Sequence, residues 1–255
     1  MPEPRTMSDR RLHLLTPEAK AFVLLPPLAL VAVSFLARVS WRWLDRSVIQ
    51  LFDVMAERNI PTWYATMLLM GSALASWLVA RLIHGADGRV DRRVWSWRAL
   101  SLLFLAMSVD ELVGVHERAG RWLRPIIAPR VRSAAGDSLD WLLATAWILP
   151  GLVAVVLVLL GVALWYRYAP PPIRRLTVAG LLVLLAGALG MELVGSLVYH
   201  QPIPLLIAGH VEELLELVGT SVIALAITSL FRVRTVGGSL TVDLPYFSKP
   251  LGTGK

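Results

Sequence analysis

The chain has 255 residues, 56% of them hydrophobic, with no cysteine and a formal net charge of +7. Its mean hydropathy of +0.63 is above that of soluble domains and points to an integral membrane protein. The absence of cysteine excludes disulfides, thiolate metal sites and thiol catalysis. The basic residues sit between apolar runs with no recognition motif, which speaks against nucleic-acid binding and for contacts with anionic headgroups.

The apolar runs predict an all-α bundle of six transmembrane helices, at about 19–39, 62–83, 98–117, 139–166, 175–200 and 205–231. Five are long and apolar enough for ~30 Å of hydrocarbon, and the sixth is so only with charges included. Thr16-Pro17-Glu18 marks the first start: Thr as cap, Pro in the first turn, Glu at the positive end of the dipole. No small-residue cleavage site follows that run, so a retained helix is expected. Residues 44–55 place Leu44, Val48, Leu51, Phe52 and Met55 on one face, as in an amphipathic connector lying in the outer interface. Residues 118–138 read as a loop, Pro170-Pro171-Pro172 as a stiff turn, and 233–255 as a polar tail behind a 19–232 membrane domain. Of the Arg and Lys, 16 fall in the two tails and alternate loops and 9 in the other loops, which favours both termini in the cytoplasm. Tryptophans near span ends form an aromatic belt.

The stretch SVDELVGVHERAG, residues 108–120, breaks the apolar pattern. Only residues 99–109 precede Asp110 in the third span, ~16 Å of helix at 1.5 Å per residue, about half the membrane. Asp110 and Glu111 are therefore carried inside, with His116 and Glu117 at the outer boundary. Glu192 interrupts the fifth span, which ends at Tyr199 and His200, and the sixth enters carrying His210, Glu212, Glu213 and Glu216. Three segments thus agree on one layer, the outer third of the bilayer. At ~100° per residue Asp110 shares a stripe with Gly114 and Glu117, while Glu111 and His116 lie off it.

A carboxylate at mid-membrane costs ~2.5–3.5 kcal/mol even on the lenient insertion scale. Several together must be protonated, water-exposed in a cavity, or neutralised by bound cations. Histidine with carboxylates and no cysteine suits Zn, Fe or Mn, and facing helices of a bundle are where such sites are built. The candidate metal ligands are Asp110, His116, Glu117, Glu192, His200, His210, Glu212, Glu213 and Glu216, with Asp110, Glu192 and Glu216 as the candidate catalytic carboxylates. Plainer readings stand beside these: Glu212 and Glu213 as acids near a helix N-terminus, His200 as an interfacial histidine, His116-Glu117 as a solvated helix end. No Glu-x-x-His pair, His-Glu-x-x-His, histidine box, nucleotide loop or Gly-x-Ser-x-Gly is present, and Ser108 and Ser196 read as helix-packing serines.

Ser108-x-Asp110-Glu111-x4-His116-Glu117, with the later Glu212-Glu213-x-Leu215-Glu216-x2-Gly219, resembles a pattern of uncharacterised bacterial multi-span membrane proteins. That resemblance covers helices three to six and implies a bacterial inner-membrane setting and no particular activity. A superficial likeness to the seven-helix ceramidase and progestin-receptor hydrolases departs in span number, in lacking His-x3-His and in its many glutamates, so no site is carried over. The first functional reading is a metal-dependent hydrolase acting on a lipid or lipid-linked substrate, by attack of a metal-bound water. A proton- or cation-coupled transporter using the same acids is the second, and a non-catalytic assembly partner the third.

Overall fold

The computed structural model describes residues 17–40, 42–87, 90–135, 148–198, 200–236 and 239–247. Thr16, the first residues of the predicted fourth span (139–147), Tyr199 and the side chain of Glu117 lie outside the described residues. The chain is mostly helical, at 82%. Helix α1 (Pro17–Val39) opens with Glu18 in its first turn and closes with Arg38 in its last, both charges complementing the helix dipole. The short α2 (Arg46–Phe52) is capped by Asp45, whose side chain accepts from Ser47 N at 2.8 Å.

The turn into α3 (Ile60–Asp87) is fastened by Asn59, whose amide donates to the Asp53 and Ala56 carbonyls and whose Oδ1 accepts from Thr62 N. Helix α4 (Arg92–Val113) starts at an Asp91 cap that accepts from Arg93 N and Val94 N. It packs along α3 over nearly its full length. Two serines stitch that pair: Ser101 Oγ donates to Ala73 O at 2.8 Å and Ser108 Oγ to Thr66 O at 3.1 Å. Short side chains with internal partners allow this close approach between apolar helices.

Past α4 the structure corrects the expected loop at 118–138. The chain stops at Gly114, turns, and resumes as α5 (Val115–Ala135) with a bend of 73°. There follow α6 (Ile148–Tyr166) and α7 (Pro171–Leu185), then a π-helical turn (Ala186–Met191), α8 (Glu192–Leu197) and α9 (Pro202–Thr228). Helices α7 and α9 cross where glycine meets glycine. A Cβ on Gly219 would stand 2.6 Å from the Gly180 carbonyl and 2.6 Å from Leu184 N, so no other residue permits this crossing.

Three helical segments are long and apolar enough to cross a membrane: Pro17–Val39, Ile60–His84 and Pro171–Leu197. Counting the bent α4–α5 pair as one span makes four. The described part of the fourth predicted span is shorter than a full crossing. Helix α9 has 27 residues, ~40 Å at 1.5 Å each, but its glutamates remove it on composition.

The all-α expectation needs one amendment. Where a polar tail was expected, β1 (Arg232–Val236) and β2 (Ser239–Asp243) pair antiparallel, with Arg232 opposite Asp243 and Val236 opposite Ser239. Leu244 then enters the main apolar core, and Phe247 meets Trp97 edge-on at 6.0 Å beneath the Arg93 guanidinium. That core, with Trp97, Leu100, Trp165, Ile173 and Ile227 fully buried, occupies the end of the helices near the hairpin. The acids gather at the other end.

Candidate functional site

Gly114 controls the first part of the site. With φ 62° and ψ 51° it adopts the left-handed conformation that stops helices, and its N–H returns to Asp110 O at 2.6 Å. The open side of the glycine, where a Cβ would stand, is filled by the Glu57 carboxylate. The turn lets one side chain serve two helices. Asp110 Oδ1 accepts from the backbone N–H of His116 at 3.0 Å, and Oδ2 accepts from His116 Nδ1 at 2.7 Å. A carboxylate only accepts, so Nδ1 carries the proton of this bond. A carboxylate orienting an imidazole in this way is the usual support of a metal-binding or basic histidine.

A cavity of ≈ 220 Å³ lies beside this pair. Asp110, Glu111 and His116 reach it from α4 and α5, Glu192 from α8, and Glu212, Glu213 and Glu216 from α9. All seven are half-buried. Glu216 lies within electrostatic reach of Glu111, Glu192, Glu212 and Glu213, and Glu212 within reach of Glu192. The remaining wall is apolar or small, including Ala154 and Val155 of α6 and Leu184 and Leu185 of α7. Among the described residues, the lining includes no lysine or arginine. Six carboxylates therefore share a low-polarity space, a situation that calls for protons, water or positive charge close by.

Gly187, in the π turn, sets the distance between the two acid-bearing walls. A Cβ there would stand 2.8 Å from Glu212 O and 2.9 Å from Glu216 Cγ, so the backbone before Glu192 lies directly on α9 at its acids. A π turn inserts an extra residue per turn and is frequent at functional sites. Here it alters the face on which Glu192 emerges.

Two of the other sequence-predicted ligands, His210 and His200, lie elsewhere. His210 is buried on the far side of α9: Nδ1 donates to Leu206 O at 2.8 Å, leaving Nε2 to accept from the Ser34 hydroxyl at 3.2 Å. Ser34 in turn accepts from Val54 N at 3.1 Å, and the imidazole meets Phe35 edge-on. His210 thus joins α1, the 53–59 turn and α9, outside the cavity lining. His200 is exposed beyond α8 and does not line the cavity. Ser108 and Ser196 are spent on helix carbonyls. Among the described residues no group of three or more histidines and carboxylates stands at metal-binding spacing.

Two participants were not in the sequence-derived set. Glu111 lines the cavity, and Glu57 covers Gly114 within electrostatic reach of Glu111. The first lies about 100° from Asp110 on the same helix, so a stripe drawn through Asp110 passes it by. The second sits in a loop with no local signal.

Compared with protein families, residues 23–231 match a family described as a domain of unknown function, DUF8692. The chain belongs to this family. The DUF8692 match runs from within α1 to just past α9, so it contains the whole cavity and leaves out the hairpin. No curated protein and no solved structure matches the chain.

Proposed function

We propose that this DUF8692 protein is a six-span membrane protein with cytoplasmic termini, in a bacterial inner membrane, whose cavity binds a divalent cation and serves hydrolysis of a lipid or lipid-linked substrate. The observation that carries this reading is the lining itself: six carboxylates and one oriented imidazole, with no lysine or arginine among the described lining residues. The ligands would come from His116 Nε2 with Glu192, Glu212 and Glu216, long side chains on backbones held together at Gly187. Asp110 fixes the tautomer of His116, and a remaining glutamate is available as general base. A divalent cation there would supply an acidified water as nucleophile. The apolar wall suits an acyl chain, and carboxylates at its head exclude a bare anionic headgroup unless a cation bridges them.

Metal analysis of the purified protein tests this reading, with Asp110→Asn and Glu192→Gln as the variants expected to lose the ion. A metal-free protein, or full metal retention in both variants, would overturn it. The break between α4 and α5 at Gly114, beside the cavity, favours a second reading, because discontinuous helices bind coupling ions in transporters. Chelator-insensitive cation flux into liposomes that depends on Glu192 would select transport instead.

A further inference from the structure

Helix α5 presents three different faces, and one of them is turned toward the bundle. At about 100° per residue, His116, Gly120, Leu123 and Ile127 fall together and are buried or half-buried toward the bundle. Val115, Trp122 and Ile126 form a second strip, 51%, 76% and 58% exposed. Arg118, Arg121 and Arg124 occupy the remaining third, where position 117 adds one glutamate to the three arginines. The helix leaves α4 at 73°, so with α4 crossing a bilayer α5 runs nearly in the membrane plane. An amphipathic helix in that plane sinks its apolar strip to the headgroup boundary and holds its arginines among the phosphates.

We propose that α5 is a membrane-surface helix that binds anionic phospholipid through Arg118, Arg121 and Arg124, with Val115, Trp122 and Ile126 seated at the acyl boundary. Charge complementarity selects this occupant, because an arginine beside an apolar strip matches a phosphate above an acyl chain. The same helix carries His116 in its first turn, so lipid on α5 holds in place the backbone that presents the imidazole to the cavity. This inference rests on the chain spanning a membrane and not on what the cavity binds.

The cysteine-free sequence makes a site-specific test direct. Single cysteines at Ile126 (apolar strip), Arg124 (arginine face) and Leu157 (exposed face of α6, the bilayer control) are spin-labelled in the full chain. Each is placed in nanodiscs of phosphatidylcholine, alone or mixed with phosphatidylglycerol. The Ile126 label is expected at the headgroup boundary, more accessible to oxygen than to a water-soluble relaxant, and the Arg124 label the reverse. Phosphatidylglycerol should immobilise the Ile126 label in the wild-type background, and replacing Arg118, Arg121 and Arg124 by Gln should raise the phosphatidylglycerol fraction needed by roughly tenfold or more. Equal water access at Ile126 and Arg124, with Leu157 in hydrocarbon, would overturn the surface helix while leaving the membrane reading intact. Indifference to phosphatidylglycerol would overturn the anionic-lipid assignment, as would protection of α5 by an acidic polypeptide and not by lipid. A water-exposed Leu157 label would instead sink the membrane reading itself.

Discussion

Replacing Gly114 by Ala, alone and with Asp110→Ala, tests whether the bend that delivers His116 is held by two features of known strength. A non-glycine residue in the left-handed region costs roughly 1–2 kcal/mol, which straightening α4 into α5 would relieve. The Glu57 carboxylate facing Gly114 is the end of an exposed, flexible side chain and adds little. Opposing the strain, the Asp110–His116 side-chain bond contributes about 1.5–3 kcal/mol as a charge-assisted pair, and the capping bond to His116 N about 1 kcal/mol more. The single variant should therefore stay mostly bent, and the double variant should straighten. Spin labels at Leu102 and Ile126, both exposed, read the difference. Each lies 12 residues from Gly114, so a straight helix separates them by about 36 Å and the 73° bend by about 29 Å. Pulsed electron resonance resolves that gap. A wild-type distance near the longer value, or an unchanged shorter distance in the double variant, would refute the role given to Gly114 and Asp110.

Further outcomes follow from the packing. Gly219→Leu should lower the melting temperature in detergent by the equivalent of at least about 1–3 kcal/mol, the usual range for overpacking, because its side chain would collide with backbone of α7; an unchanged melt would show that the crossing gives way. Arg38 holds the buried Asp53 through Nε and NH2 at 3.0 and 2.5 Å. Arg38→Ala should cost about 3 kcal/mol, the low end for breaking such a pair, since the guanidinium is partly exposed; adding Asp53→Asn should recover part of it. His210→Phe should loosen the 53–59 turn, seen as faster hydrogen exchange at Val54, with metal content unaffected. Truncation after residue 243 removes the ring contact of Phe247 on Trp97, worth about 0.5–1.5 kcal/mol beyond area, together with the buried Leu244, and should destabilise the α4–α6 end without changing cation binding.

The shared level of the acids along the helices is legible in the sequence because helix rise is fixed: residues 99–109 set how far Asp110 stands along α4 whatever packs around it. Facing is less legible, since a wheel at 100° per residue assumes an unbroken helix. That assumption fails at Gly114, where a left-handed residue resets the direction and brings His116 to the cavity beside Asp110. It fails again between Ala186 and Met191, where the π turn shifts the register ahead of Glu192. His210 shares a helix with Glu212 and Glu216, but near-opposite facing sends it to Ser34, and only tertiary contacts reveal that. Gly237-Gly238 between the alternating runs RVRTV and SLTVD is a hairpin signal in the sequence, outweighed by the polar composition of the tail. Span number is the least legible feature, since the glutamates that mark α9 as interesting also remove it from any hydropathy count.

Divalent-cation titration of the detergent-purified chain, followed calorimetrically alongside Glu192→Gln and Glu216→Gln, bears most directly on the cavity as one cation-binding unit. Saturable uptake by the wild type that both single variants abolish or weaken at least about tenfold, the loss expected for a charged ligand worth 1.4 kcal/mol or more, is the predicted result. No uptake by the wild type, or equal uptake by all three proteins, would contradict it.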